Sequence, residues 1–490
     1  MSTTTAVTKE TTEENIAAGL ARLAVLPEWL LAPLQADRVA AALRQALPEL
    51  ADGRLALRGC KIKRMLLQGD TGRWAGTYTL TIEAPGAGKR TVALRGTFTP
   101  AHVGAVEAAV ADAPLGAEGW RCALPELGLE LEPEPPESDL QAMPALTDPD
   151  SSRALLEDGI RADSYPDMRI ESCRPEVLSY KPGSRCTIRY HLTYPAELAG
   201  RGWPATVIAK TYRKESKGRN AYDGMVALWH SPLASGEVVT IAEPLAYIPE
   251  LKVMTQGPVA GEQSLEDLLK DALRADTPEA HAELNAAMAR AAAGLAAFHQ
   301  SGVRHGDSVT LGQRYAEIHA LIERLLVAAP ELRGAAEPLL ARLEAQEAQA
   351  PADPPVPTHG TFNPEQVLID GDRVGFIDFD DFCMAEPALD VGLFRAAIKD
   401  IGMNALDTTD RAAREARLGQ LDQIGEVFLS AYERLAPISR ERVALWEAWS
   451  YFRDTLHFWI KVKPAEPDNG MMMLKHHLQK NVATFERFNV

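Results

Sequence analysis

Thr358-His359-Gly360-Thr361-Phe362-Asn363-Pro364-Glu365-Gln366-Val367-Leu368-Ile369, followed by Phe376-Ile377-Asp378-Phe379-Asp380-Asp381, decides how this chain is read. His359-Gly360 closes a Pro-rich approach (Pro351, Pro354, Pro355, Pro357) that can be neither helix nor central strand. Two short apolar runs, 367–369 and 374–377, flank the turn Asp370-Gly371-Asp372, and this predicts a β-hairpin. Asp378, Asp380 and Asp381 lie just past its second strand. Three carboxylates there repel one another unless something positive sits among them. A hard cation such as Mg²⁺ takes oxygen ligands and the company of phosphate. Taken alone, a Gly-turn hairpin followed by acids reads as a solvated loop.

Order and spacing over a longer stretch change that reading. The pattern resembles the aminoglycoside phosphotransferase family, a branch of the kinase-like fold that phosphorylates small hydroxylated molecules. Its loop reads approximately His-Gly-Asp-x-x-x-x-Asn, before a strand ending Ile-Asp. Glu386-Pro387-Ala388-Leu389-Asp390-Val391-Gly392 is similar to the family's Asp-Pro-x-x-Asp-Leu-Ala segment, which makes Asp390 structural. The resemblance implies an α+β, bilobal protein-kinase-like fold with a β-rich N-lobe and a mainly helical C-lobe. It implies ATP (or GTP) and Mg²⁺ as cofactors. By position, His359, Thr361 and Asp378 fall at the catalytic loop and metal corner, and Gln366 and Asp378 fall at the metal ligands. Thr361 stands where the family places its catalytic aspartate, and Gln366 keeps an amide oxygen on a longer arm than asparagine.

Further matches lie upstream. Strand 177–180, the turn Lys181-Pro182-Gly183-Ser184-Arg185, and strands 186–190 and 205–210 resemble the family's N-lobe. Lys181 and Arg185 then offer charge to nucleotide phosphate, and Lys210 is the strand lysine that contacts it. In kinases a helix glutamate pairs with that lysine, whereas the helix expected over 218–230 offers only Asp223, with Glu215 just before it. Gln256 and Gly257 are the hinge candidates for the adenine edge, since Pro258 has no N–H. Leu295-Ala296-Ala297-Phe298-His299 resembles the family's Leu-Ala-x-Leu-His helix end. His305-Gly306-Asp307 spells the family triplet, but it follows that helix directly and has Gly312 where an amide belongs, so it reads as a turn.

At 490 residues the chain has room for two to four domains. The apolar content of 46% is that of a globular protein, and no run approaches a membrane span. Five scattered cysteines without metal spacing fit free thiols in a reducing cytoplasm. A net charge of −17 argues against a general nucleic-acid binder.

The expected organisation is a disordered tail (1–15), an N-terminal α+β domain (16–135), a linker (136–165), a kinase-like N-lobe (166–258) and a helical C-lobe (259–490) whose catalytic-loop region is 358–392. The two β-rich blocks look alike. Cys60-Lys61-Ile62-Lys63-Arg64-Met65-Leu66 can be laid on 173–178, Thr91-Val92-Ala93-Leu94-Arg95 on Thr206-Val207-Ile208-Ala209-Lys210, and Leu124-Pro125-Glu126-Leu127 on Ile248-Pro249-Glu250-Leu251. The front domain therefore reads as a degenerate duplicated N-lobe, suited to packing, oligomerisation or acceptor binding.

Two functions follow. One is ATP-dependent phosphotransfer to a hydroxyl of a small molecule or natural-product intermediate, or of a peptide acceptor, with Glu365, Asp380 or Asp381 replacing the missing base. The other is a pseudokinase, nucleotide-binding or purely structural, that regulates or scaffolds a partner protein. The aromatic residues of 446–459 read as core rather than pocket wall.

Overall fold

The computed structural model describes residue 19 and residues 21–86, 88–105, 113–135, 140–235, 237–463 and 469–481. The tail of 1–15 and the start of the linker (136–139) lie outside the described residues. The chain forms two compact units. One comprises 1–136, 311–349 and 448–490, and the other 137–310 and 350–447. The helical region 259–490 is thus shared between them.

In the first unit, five strands form the main sheet, three long and two short. They are β1 (Ala56–Leu67), β2 (Trp74–Ala84), β3 (Gly88–Phe98), β4 (Cys122–Leu124) and β5 (Leu129–Pro133). All pair antiparallel in the order β1-β2-β3-β5-β4. Tyr78, Leu80, Leu94 and Phe98 supply one fully buried face. Helix α1 (Ala36–Ala46) brings Val39 and Leu43 to the core. A two-residue strand, Lys461–Val462, covers the outer edge of β1 at Met65 and Leu66.

The second unit repeats this plan. Its strands β6 (Ser172–Lys181), β7 (Arg185–Thr193), β8 (Thr206–Tyr212), β10 (Pro244–Ile248) and β11 (Val253–Gln256) are ordered β6-β7-β8-β11-β10. Strand for strand this is the first sheet's order, and every pairing is antiparallel. In each sheet a 3₁₀ turn of Pro-Glu-Leu joins the last two strands, at 125–127 and 249–251. Each turn ends on a left-handed residue, Gly128 (φ 56°) or Lys252 (φ 54°).

Counting from those turns corrects the alignment. Phe98 faces Leu129 and Thr97 faces Glu130, whereas Thr211 faces Val253 and Lys210 faces Met254. The position equivalent to Lys210 is therefore Thr97, two residues beyond Arg95. A slip of two keeps every side chain on its face, so the apolar pattern alone cannot detect it.

The stretch read as linker contains helix α2 (Pro149–Asp163). Asp148 caps it by accepting from Ser151 N–H at 2.9 Å, and Pro149 opens it. Leu156 and Ile160 of α2 pack with Ile188, Val207 and Ala209 beneath the sheet. Helix α3 (Glu215–Trp229) follows β8.

The remainder of this unit builds the platform of the loop. The expected hairpin is β14 (Val367–Asp370) with β15 (Arg373–Phe376), joined by β12 (Gln263–Ser264) and, in parallel, β9 (Val239–Ile241). Strand β13 (Val356–Thr358) pairs with β16 (Cys383–Ala385). Helices α4 (Leu265–Ala275) and α5 (Pro278–His299) lie beneath, with Ser264 and Thr277 as N-caps. Trp446 of this unit and Trp449, Tyr451, Phe452 and Trp459 of the first are buried, as their reading as core requires. Among the described residues no helix is long and apolar enough to cross a membrane.

Candidate nucleotide and phosphate site

The loop that begins at His359 is held from below by one carboxylate. Asp390, fully buried in the first turn of helix 388–404, accepts from the backbone N–H of His359 (2.6 Å) and Gly360 (2.9 Å). His299 reaches the same carboxylate at 3.1 Å, and its other nitrogen meets Tyr432 Oη at 2.7 Å. Asp390 and His299 are therefore structural. Gly360 sits at φ 83°, and a Cβ there would overlap the Asp381 carbonyl, so only glycine lets the loop pass. Gly306 does the same against the Phe382 carbonyl at φ 79°. The segment 305–309 runs along β16, with Met384 N–H on Asp307 O at 2.9 Å. The second His-Gly triplet is thus a bracing turn beside the loop.

His359 is fully buried. Its Nε2 meets Ile377 O at 2.9 Å and its ring lies 4.8 Å from that of Phe379. These contacts fix the loop and leave the ring no open face for a reacting group. Thr361 is half-buried, and its carbonyl accepts from Asn363 Nδ2 at 3.2 Å. Gln366 is buried and closes a capping box, its Oε1 accepting from Asn363 N–H at 3.2 Å. Glu365 is exposed on the same turn.

The charges converge at the end of β15. Asp378 adopts a left-handed conformation (φ 71°), which turns its carboxylate onto Lys210 Nζ. Lys210 Nζ also lies 3.2 Å from Asp380 Oδ1. Tyr212 donates to that same oxygen at 2.7 Å, and Arg185 lies 3.6 Å from Asp380 Oδ2. Asp381 pairs instead with Lys217 of α3 at 3.1 Å. Burial would raise the Asp378 carboxyl, but the Lys210 ammonium outweighs it and holds the group well below the usual range. Burial likewise works against the Lys210 ammonium, and Asp380 and Asp378 together keep it raised. Burial, then Asp380, push the Tyr212 hydroxyl well above its ordinary value.

Of the residues singled out in sequence, Asp378, Lys210 and Arg185 are brought together, and Asp380 is locked among them. Lys181 is exposed on the hairpin four residues before Arg185. Gln256 is buried at the end of β11, and Gly257 spends its N–H on Glu243 O at 2.8 Å, so that amide is not free for a nucleotide. Neither Asp223 nor Glu215 pairs with Lys210. Asp223 faces Arg219 at 3.8 Å. Tyr212 was missed, although it lies two residues from Lys210, a separation that places both on one strand face.

Residues 238–438 match the family model described as a phosphotransferase enzyme family. No curated protein matches the chain. Among solved structures, a glucosamine kinase aligns at 15% identity over 93% of this chain and 100% of its own, with TM-score 0.44. A choline/ethanolamine kinase family protein from Mesorhizobium loti aligns at 15% over 69% and 95%, with TM-score 0.40. An ADP-bound aminoglycoside phosphotransferase aligns at 14% over 65% and 96%, with TM-score 0.41.

Proposed function

We propose that this chain, a kinase-like member of the phosphotransferase enzyme family over residues 238–438, transfers phosphate from ATP to a hydroxyl of a small-molecule acceptor. One observation carries the reading. Lys210 and Asp378, 168 residues apart, form an ion pair, and a lysine and a carboxylate side by side are what a kinase uses to join nucleotide phosphates to metal. Lys210 would contact the phosphates, with Arg185 and Lys181 adding charge from the hairpin.

The donor set suits Mg²⁺. Asp378 and Gln366 offer a carboxylate and an amide oxygen, both hard donors, and Mg²⁺ takes one or two ligands from protein when phosphate and water complete its shell. Asp378 would hold the ion. Gln366 would join it by releasing the Asn363 N–H. When bound, Mg²⁺ neutralises charge on the transferring phosphoryl group.

Thr361 cannot accept a proton as a carboxylate does. General-base catalysis is typically worth roughly 10²–10⁴-fold, so positioning and charge leave room for slow transfer without it. Asp380 is removed from the candidates for that role because Lys210, Tyr212 and Arg185 surround it. Glu365 and Asp381 stay exposed. The second reading, a pseudokinase serving a protein partner through its N-terminal unit, is favoured by Thr361 alone.

The test is thermal stability with Mg²⁺·ATP, with ATP and chelator, and with neither. A Mg²⁺-dependent rise in midpoint, lost in Asp378→Ala, is expected by linkage. An unchanged midpoint in the folded protein removes the nucleotide role. Labelled-ATP turnover over an acceptor panel then separates enzyme from pseudokinase. A large gain in Thr361→Asp would identify a disabled ancestral site, and loss of an existing activity would exclude one.

A further inference from the structure

A buried lysine that must face phosphate needs a fixed counterion. Kinases draw it from the helix that follows the lysine strand. Here that helix does not provide one. Asp223 is turned to Arg219, and Glu215 sits in the first turn of α3 with its carbonyl accepting from Tyr247 Oη at 3.3 Å. The helix instead sends a cation, Lys217, to Asp381 on the loop. The polarity of the helix contact is thus the reverse of the usual one.

We infer that Asp380 is the positioning residue for Lys210, taking from the metal loop the part that a kinase gives to a helix glutamate. The geometry is that of a built support. The Asp380 side chain is 4% exposed, and its Oδ1 receives both Lys210 Nζ (3.2 Å) and Tyr212 Oη (2.7 Å). Tyr212 and Lys210 share β8, so one strand carries both the lysine and the hydroxyl that aims its partner. Arg185, on the neighbouring strand β7, balances the other oxygen.

Asp378 also touches Lys210, but its side chain is 29% exposed, and it is the carboxylate at the metal corner. Once it turns to a cation, Lys210 keeps Asp380. An ammonium left without either would be a buried unpaired charge, which proteins avoid at high cost. Asp380 thus holds the lysine in place as the nucleotide loads, and α3 is not required for that alignment. This inference rests on the nucleotide reading above.

The test is a double-mutant cycle on ADP affinity, measured by calorimetry first with chelator and then with Mg²⁺. Asp380→Asn should weaken ADP roughly tenfold under both conditions, the range for losing a charged hydrogen bond. In a Lys210→Met background the same change should cost nothing further. Tyr212→Phe leaves every charge in place and should weaken ADP about threefold in the unmodified protein, the range of one hydrogen bond, and not in Lys210→Met. This second variant keeps the test open if the charge changes impair folding. The ³¹P shift of the bound β-phosphate should change alike in Asp380→Asn and Lys210→Met.

Undiminished affinity in Asp380→Asn, or an equal loss in the Lys210→Met background, would overturn the inference. So would a loss seen only with Mg²⁺, which would make Asp380 a metal ligand. If the unmodified protein binds ADP under neither condition, the nucleotide reading itself fails and takes the inference with it.

Discussion

The sheets of the two units share five strands in one order, the same Pro-Glu-Leu turn and the same left-handed residue after it. Their contents differ where chemistry would occur. The second sheet places Lys210 beside its turn-anchored register and receives Asp378 and Asp380 from a loop. The first places Thr97 at that position. Their edges differ too. Strand β1 is covered by Lys461–Val462, whereas β6 leaves Val177 and Leu178 46% and 42% exposed. We propose that the first sheet is a duplicated lobe that retained the packing and lost the phosphate-facing charge. Segment 106–112, where the counterpart of α3 would fall, lies outside the described residues. On that proposal, the difference teaches that backbone order needs only apolar alternation, while the charge cluster at Lys210 needs one cation and its counterions at fixed register.

The largest effect should come from breaking that difference. Lys210→Met is expected to weaken Mg²⁺·ATP by about a hundredfold, since it removes a charge-assisted phosphate contact and strands two acids. Thr97→Lys should leave nucleotide affinity unchanged, because among the described residues no loop carboxylate is paired with β3 as Asp378 is with β8. Titration calorimetry checks both. Measurable ATP affinity gained by Thr97→Lys would mean the first sheet is a dormant site.

Next are the glycines that let chain segments pass. Gly360→Ala should cost about 3 kcal/mol in urea unfolding, combining overlap with the Asp381 carbonyl and a left-handed φ. In the first sheet, Gly96→Ala should cost about 2 kcal/mol, because its Cβ would enter the Tyr78 ring, which can shift where a carbonyl cannot. Only the Gly360 change should also impair nucleotide binding.

A pH comparison sharpens the contrast further. The Asp378 carboxyl is depressed in the folded state by Lys210, so the unfolded chain binds more protons as pH falls through the unfolded value of about 3.9. The stability from this pair is therefore fully present above that value and is lost as pH falls further, through the folded one. Unfolding midpoints should show a shallower acid loss in Asp378→Asn than in the unmodified protein. An identical acid limb would remove the pair as a source.

The smallest effect compares the two turns. Lys252 pays for a left-handed backbone that Gly128 adopts freely. Lys252→Gly should gain about 0.5 kcal/mol, the relief of roughly 1–2 kcal/mol less the added freedom of an unfolded glycine. Gly128→Ala should lose about 1–2 kcal/mol, with Thr99 O and Val103 crowding its Cβ. Equal responses at the two positions would break the equivalence of the turns.

Sequence alone determined much of this molecule. The hairpin around Asp370-Gly371-Asp372 and the longer strands of both sheets follow from local periodicity and turn chemistry, while the structural part of Asp390 and the singling out of Lys210 and Asp378 rest on the resemblance in motif order. Those signals are short in range, or tied to a family's fixed order of elements. Tertiary structure decided the rest. It turned Gln366 back onto Asn363, spent the Gly257 N–H on Glu243, and set Thr97 rather than Arg95 at the lysine position. It also gave Asp380 to Lys210 and left Asp223 to Arg219. A slip of two residues, or a choice between carboxylates two apart, leaves hydrophobic patterning untouched. Only the distances between distant segments settle which charge meets which.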